Sequence, residues 1–302
     1  MRILDFIILK VCRSIPDKLW IQFMYLKHMQ RLCNFRNPKT FNDKIQWLKL
    51  YDQRSEHTAM VDKYLVKEYI KEKIGEQYVI PVIACWDRVE DIDFEKLPNQ
   101  FVLKTTHDCG GLVICPDKSQ LDYQQSLEKI RKAMDINYYL RYREWPYKNV
   151  VPRIIAEEYI VDEAGTELKD YKIFCSRGEP FMVELDFDRF RGHKRNLYTT
   201  DWQLMDLSFN FPAHPEIEFA RPSNLDEMLR FAQILSQDEP FVRIDFYSAS
   251  GKTYVGEITF FPASGYEKFV PAQYDRYFGD KIVLPPKTIN GVQQSNRRMK
   301  TR

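Results

Sequence analysis

The chain has 302 residues, of which 44% are apolar and 29% charged, a length that can bury a sizeable core and that points to two or more packed units. No stretch approaches the roughly 20 consecutive apolar residues that span a bilayer. The opening MRILDFIILKVCRSIPDKLW is interrupted by Asp5 and Lys10 and shows no small-residue cleavage site, which argues against a signal peptide.

Six cysteines, at 12, 33, 85, 109, 115 and 175, form no CxxC pair, and a chain of this size needs no disulfide frame, so a reducing, cytoplasmic setting is expected. Charge is unevenly spread. Seven Lys and Arg against Asp5 and Asp17 give residues 1–36 a net +5, the tail from 285 carries another +5, and the total of +2 leaves the body at −8. An acidic body argues against a nucleic-acid groove, which would concentrate positive charge in the folded centre. Basic ends fit peripheral contact with an anionic membrane at its inner face, with Ile3, Phe6, Ile7, Val11 and Trp20 as the apolar side of an interfacial helix. A helix docked on the body explains the same pattern.

Residues 1–60 read as mostly helical. NPKTFNDKIQWLKLYD starts at the Asn37-Pro38 turn, offers Thr40 or Asn42 as cap, and sets Ile45, Trp47 and Leu48 on one side. In VDKYLVKEYIKEKIG the apolar positions 61, 65, 66, 70 and 74 keep helical spacing up to a stop at Gly75. YVIPVI, FVLK and LVIC then read as short strands, LDYQQSLEKIRKAMD as an amphipathic helix, and RIIAEEYI, DYKIFC and FMVELDF as further strands, the last two joined by the SRGEP turn. The helix NLDEMLRFAQILS leads into FVRIDFY and TYVGEITFF, linked by SASGK. Strand pairs interleaved with helices predict α+β layers and no doubly wound parallel sheet. The polar tail after Pro285 and Pro286 is expected to be disordered.

Several stretches can carry chemistry. Alternation puts Arg243 and Asp245 on one face of FVRIDFY, and Glu257 and Thr259 on one face of TYVGEITFF. If the register agrees, two carboxylates and a hydroxyl supply hard oxygen ligands for Mg²⁺; an exposed polar sheet face explains the alternation as well. RIIAEEYI ends in adjacent acids, Glu157 and Glu158, and a buried carboxylate there needs a partner. In KDYKIFC, Asp170 and Lys172 share a face, an acid for sugar hydroxyls beside a cation for phosphate. DRFRGHKRNLY crowds Arg189, Arg191, His193, Lys194 and Arg195 around Gly192, a cationic loop suited to an anionic acceptor or to the phosphoryl group in transit. YYLRYREWPYKN can stack on sugar faces or form a structural aromatic cluster.

In this order the pieces resemble the ATP-grasp superfamily. The Asp-Lys of VDKYLVKEYIKEKIGEQYVIP, the lysine strand and glycine loop of FVLKTTHDCGG, the hinge IIAEEYI, and the VRIDFY and YVGEIT hairpin carry the resemblance. NPKTFNDKIQWLKLYD, REWPYKN, GHKRNLY and GEITFFPASGYEKF are similar to the TupA-like branch, associated with teichuronopeptide and other cell-surface polysaccharide synthesis, and the likeness runs from about 37 to 285.

The resemblance implies an ATP-grasp fold of two α+β subdomains clasping ATP. Its expected divisions are a helical segment 1–60, a lid-bearing subdomain 61–159, a metal-hairpin subdomain 160–286 and a tail 287–302. Lys63 and Lys104, with Gly110 and Gly111 of the lid, are implied at the nucleotide phosphates. Glu157 would meet the adenine amine, Tyr159 and Ile160 would offer backbone contacts, and Asp170 would take the ribose hydroxyls. Arg243 faces the transferred phosphoryl group, and Lys172, His193 and Arg195 complete the expected catalytic set. Asp245 and Glu257 would hold Mg²⁺ with Thr259, which stands where the superfamily usually has Asn. The segment before Asp62 is short and helical where a substrate-binding α/β domain is usual.

The activity so implied is carboxylate–amine ligation through an acylphosphate. Its substrates would be a uronic acid or amino acid and an amine, on a polysaccharide or a lipid-linked or nucleotide-linked sugar precursor. Phosphoryl transfer of this kind gains most from positioning and charge neutralisation and needs no covalent nucleophile. Two other readings stand beside it. Asp186 and Asp188 make a DxD pattern of the kind glycosyltransferases use, though without a preceding α/β nucleotide half. The other is a non-catalytic nucleotide-binding protein.

Overall fold

The computed structural model describes residues 14–161, 168–188, 192–289 and 292–293. Helices α1 (Asp17–Met29), α2 (Phe41–Tyr51), α3 (His57–Val61) and α4 (Val66–Ile74) precede the first sheet. That sheet contains β1 (Val82–Trp86), β2 (Phe101–Thr105), β3 (Leu112–Cys115) and β4 (Ile154–Glu158), ordered β1-β4-β2-β3 with every pair antiparallel. Between β3 and β4 run α5 (Tyr123–Met134) and α6 (Tyr138–Tyr142). The period-two alternation of β2 separates its faces. Phe101 and Leu103 enter a core with Ile130 of α5 and Ile154 and Ala156 of β4, which leaves Lys104 on the opposite face.

The second sheet contains β5 (Asp170–Ser176), β6 (Glu179–Phe187), β7 (Lys194–Tyr198), β9 (Val242–Ala249) and β10 (Lys252–Thr259), with the two-residue strand β8 (Ser208–Phe209) lying outside it and pairing with β11 (Phe269–Val270). Its order is β10-β9-β5-β6-β7, again antiparallel throughout. One face presents Tyr171, Ile173, Val183, Leu185, Ile244 and Ile258 to the main core, covered by the apolar side of α7 (Leu225–Leu235) and by Val66 and Ile70 of α4. The other face is polar and is described below. The expected α+β architecture of two layered units is therefore what the chain adopts.

Helix α2 departs from its sequence reading. Thr40 caps it, its hydroxyl accepting from Asp43 N, but the helix is buried on every side and not along one stripe. Its polar side chains are tolerated because each has partners. Asn42 donates to Glu267 O at 2.8 Å and Asp275 Oδ1 at 3.0 Å. Gln46 donates to Ser264 O at 2.9 Å and Gly265 O at 2.8 Å. Lys49 Nζ reaches Ser264 O at 2.7 Å and Ser264 Oγ at 2.8 Å. Phe41, Ile45 and Leu48 meanwhile join the main core. The helix thus clamps the loop that follows β10, and the N-terminal helical residues from Phe41 onward are part of the second sheet's body.

The tail also differs from expectation at its start. Thr288 is buried, its carbonyl accepts from Gln53 N at 2.8 Å, and Thr288–Ile289 pairs with Val292–Gln293. Backbone pairing to the end of α2 outweighs the local polarity. Residues 290–291 and 294–302 lie outside the described residues, as do residues 1–13, which hold Ile3, Phe6, Ile7 and Val11.

Helix α8 (Gln273–Lys281) meets the start of α2 at Gly279, where an added Cβ would lie 2.3 Å from Lys39 O and 2.7 Å from Phe41 N. Lys44 Nζ ties the pair by donating to Gly279 O and Ile282 O, each at 2.7 Å. Backbone atoms cannot yield as a flexible side chain can. Gly279→Ala is therefore expected to destabilise the fold by about 1–3 kcal/mol in urea unfolding; an unchanged midpoint would mean that this close approach is not made.

Candidate active site

The register of the second sheet brings the predicted hairpin residues side by side. Asp245 lies directly opposite Glu257, and Arg243 opposite Thr259, despite an irregularity between Val255 and Glu257. Gly256 sits at that bulge, with a Cβ there falling 2.7 Å from the Tyr247 ring. The polar band continues across the neighbouring strands. Lys172 is opposite both Asp245 and Glu184, Asp170 is opposite Asp186, and Asp186 is opposite Arg195. Five carboxylates, Asp170, Glu184, Asp186, Asp245 and Glu257, thus share one face with three cations, Lys172, Arg195 and Arg243.

Charge shapes each member. Arg243 holds Asp245 through two bonds of 2.6 Å and reaches Glu257 Oε1 at 3.4 Å and Thr259 Oγ1 at 3.3 Å. Burial, opposed by Arg243 but reinforced by Asp170 and Glu257, pushes the Asp245 carboxyl well above the usual carboxylate range. Lys172 contacts Asp170 at 2.8 Å and Asp186 more closely; burial would lower its ammonium, but the surrounding carboxylates raise it. Glu267, buried at 2% exposure on the loop clamped by α2, accepts from Asn210, and burial with Glu184 nearby lifts it to about 8. Excess carboxylate at this density favours binding of a further cation.

Glu257 is influenced by cations from beyond its own sheet. Its side chain is 36% exposed, Lys63 Nζ lies 3.8 Å and Arg243 Nη2 3.4 Å away, and Lys172 and Lys104, paired with other carboxylates, act on it from farther off. Burial acts to raise its carboxyl, yet Lys63, Arg243, Lys172 and Lys104 together hold it down to about 2. Lys63 is placed by a turn. Asp62 Oδ1 accepts from Tyr64 N at 2.8 Å and Leu65 N at 3.2 Å, so α4 begins later than its apolar spacing suggests and Lys63 stays outside it. Its amide donates to Thr106 O, and its ammonium to Asp108 O.

Lys104 and Glu157 come together on the first sheet's inner face. Glu157 is buried, with Lys104 Nζ and Lys67 Nζ each 2.6 Å from its carboxylate. Burial opposes its ionisation, and the two ammonium groups overcome that and lower it. The partner that a buried acid in RIIAEEYI requires is thus this pair of lysines. Lys67 escaped the sequence reading, although its spacing of four from Lys63 was the available signal. Tyr159 and Ile160 continue from the end of β4 as a half-exposed segment.

The loop between β2 and β3 is closed from within. Asp108 is buried, and its carboxylate accepts from the Thr105 hydroxyl, from Gly110 N at 3.1 Å and from Gly111 N at 3.2 Å. The glycine amides therefore face Asp108 here, and are not turned outward as the phosphate-lid reading expects. Gly111 is required sterically, since a Cβ there would lie 2.0 Å from Thr105 Oγ1. Cys109 Sγ contacts Tyr138 Oη at 2.8 Å, joining the loop to the aromatic segment after α5.

The expected cationic loop is corrected. Lys194, Arg195 and the residues after them form strand β7, and their charges face acids. Arg195 is buried, with Nε 2.8 Å from Asp186 Oδ1 and Nη2 2.7 Å from Glu184 Oε1; His193 Nε2 lies 3.0 Å from Asp186, and Lys194 3.3 Å from Asp188. A strand edge next to an acidic β6 neutralises the basic run. Arg189 and Arg191 lie outside the described residues. Asp170 is buried and paired with Lys172, and Asp186 of the DxD pattern is enclosed by Lys172, His193 and Arg195 while Asp188 is exposed. In REWPYKN, Arg143, Glu144 and Trp145 are buried, with Arg143 Nε 3.0 Å from Asp17, which fits the structural aromatic reading.

Another gathering of donors, Asp52, His57 and Glu239, is fully buried. Arg54 already bridges it, contacting Asp52 at 2.9 Å and Glu239 more closely, while His57 Nε2 lies 3.0 Å from Glu239. It reads as a closed ion-pair node. The Asp245 and Glu257 pair differs in that Glu257 is open to solvent. Its hard oxygen donors are of the kind Mg²⁺ takes.

The family model for TupA-like ATP-grasp proteins matches residues 43–283. No curated protein matches the chain. Among solved structures it is similar to the D-alanine–D-alanine ligase of Bacillus anthracis complexed with ATP, at 16% identity over 74% of this chain and 65% of that one, TM-score 0.42. It is also similar to the N5-carboxyaminoimidazole synthetase of Staphylococcus aureus, at 19% identity over 67% of this chain and 44% of that one, TM-score 0.38. The L-amino acid ligase of Bacillus licheniformis matches at 15% identity over 71% and 45%, TM-score 0.39. The chain spans from under half to about two thirds of the length of these structures. By the extent of the family match, the chain belongs to the TupA-like ATP-grasp family.

Proposed function

We propose that the protein is an ATP-dependent carboxylate–amine ligase whose site lies between the two sheets. The observation that carries this reading is the convergence on one half-exposed carboxylate, Glu257, of Lys63, Lys104, Lys172 and Arg243 from four separate segments. A solvent-exposed polar sheet face would not have Lys63 from the turn before α4 and Lys104 from the other sheet near it. Cations collected from both sides of a cleft suit a polyphosphate.

In this reading Lys63 and Lys104 hold the nucleotide phosphates, and the Tyr159 and Ile160 backbone meets adenine with Glu157 nearby. Glu157 also fixes Lys104 and Lys67 in position, as the 2.6 Å contacts support. Asp170 is reserved for the ribose hydroxyls. Asp245, Glu257 and Thr259 would hold Mg²⁺, which when bound neutralises charge on the phosphate oxygens. Arg243 faces the phosphoryl group passed to the substrate carboxylate, and Lys172 keeps the Asp245 side of the band compact. Arg195 and His193 act through Asp186 as positioning groups, since Arg195 is spent on carboxylates. Closure of the Thr105–Gly111 loop excludes water from the acylphosphate, and for its glycine amides to meet phosphate the Asp108 carboxylate has to give them up. An amine then attacks the acyl carbon, the amide C–N bond forms and phosphate leaves.

The acid is proposed to be a uronic acid or amino acid, and the acceptor a cell-surface polysaccharide or its precursor. The family's association with such polymers supports this, together with the acidic body that argues against nucleic acid. The enclosure of Asp186 by three basic groups argues against the DxD glycosyltransferase reading.

Purified protein with ATP, Mg²⁺, uronates, amino acids and amines is expected to release ADP and phosphate with amide formation; turnover of a nucleotide sugar in the absence of ATP would contradict the proposal. Glu257→Gln is expected to lower ADP formation by at least about a hundredfold with an unchanged circular dichroism spectrum. Arg243→Lys should fold yet lose most turnover, because lysine keeps the charge and loses the two-bond grip on Asp245. Wild-type rates in either variant would remove the residue from the mechanism.

A further inference from the structure

Helix α1 presents two apolar faces where packing uses one. Ile21 and Tyr25 are fully buried against Cys33, Phe35, Leu50 and Tyr266. On the opposite side Leu19, Phe23 and Leu26 are 61%, 58% and 47% exposed, and Leu32 just past the helix is 64% exposed. Spacings of four and three place the first three in one stripe. A single exposed leucine is ordinary, whereas a stripe of large apolar side chains on one helix face marks a contact surface.

Charge indicates what covers it. Lys18, Lys27 and Arg36 are exposed on and beyond the same helix, with Lys27 one turn after Phe23. Arg31 is set apart by its pairing with Asp43 at 2.8 Å and Asp275 at 3.4 Å. The sequence immediately before the described residues, MRILDFIILKVCR, repeats the combination, with Ile3, Phe6, Ile7 and Val11 beside Arg2, Lys10 and Arg13. Against a body of net −8, residues 1–36 carry +5, so the apolar stripe sits in the basic end of an otherwise acidic chain.

We propose that the outer face of α1 docks on an anionic lipid bilayer. Leu19, Phe23 and Leu26 enter the headgroup boundary while Lys18, Lys27 and Arg36 meet the acidic headgroups. Neither signal suffices alone; apolar insertion and basic attraction together give stable peripheral binding. Among the described residues no helix is long and apolar enough to cross a membrane, so the attachment is to the surface. The inference goes beyond the ligase reading and stands without it.

The full chain is tested by flotation with vesicles of phosphatidylcholine alone and of equal parts phosphatidylcholine and phosphatidylglycerol. It should float with the anionic vesicles, lose binding as salt is added, and stay largely free of the neutral ones. The double variant Leu19→Glu and Phe23→Glu, at positions already exposed, should keep the wild-type circular dichroism spectrum and bind at least about tenfold more weakly. Equal binding by variant and wild type, or no binding to anionic vesicles, overturns the proposal. So does a concentration-dependent dimer that the same variant abolishes, because a second copy then covers the stripe.

Discussion

Glu257 is the point on which the architecture turns. Four cations act on it, Lys63 of the turn before α4 and Arg243 of β9 as ion-pair partners and Lys104 of β2 and Lys172 of β5 from farther off, while its side chain stays partly open to water. With a third of its side chain open to water, the Coulomb attraction there is screened and contributes little to stability. The arrangement makes more sense as recruitment of a ligand. On the proposed reading, this group of lysines and an arginine around one accessible carboxylate, with buried carboxylates behind it, would exchange those internal partners for phosphate and a divalent cation.

The remainder of the fold serves that convergence. The second sheet's antiparallel register sets Asp245 against Glu257 and Lys172 against Asp245, so the polar band is fixed by backbone pairing. The first sheet supplies Lys104, braced by Glu157 and Lys67. Helix α2 gives up amphipathicity to hold the loop after β10 through Asn42, Gln46 and Lys49, and Glu267 on that loop faces Arg195 and Arg243. Buried polar groups of this kind are tolerable when bonded; Asn42, Lys49 and the Gln46 amide nitrogen make their bonds, while the Gln46 amide oxygen is left without one.

Much of this was legible in the sequence. Period-two alternation in VRIDFY and YVGEIT correctly put Arg243, Asp245, Glu257 and Thr259 on one face, because a short linker with Gly251 leaves few registers open. The acid pair in RIIAEEYI signalled a buried charge in need of a partner. Long-range pairing was not legible. DRFRGHKRNLY looks cationic in isolation, yet β7 lies beside β6, whose Glu184 and Asp186 absorb Arg195. Asp108 was unreadable for a related reason: only the folded loop shows its carboxylate occupying the glycine amides. Helix α2 misled because its polar residues are satisfied by segments more than 200 positions away, which no local periodicity records.

A crystal structure with a non-hydrolysable ATP analogue and Mg²⁺ tests the central claim most directly. The account predicts phosphates among Lys63, Lys104 and Arg243, a metal ion on Asp245 and Glu257, and adenine against the Tyr159 and Ile160 backbone. A nucleotide bound elsewhere, or a cleft that leaves Glu257 in contact only with its present cations at saturating analogue, would contradict it.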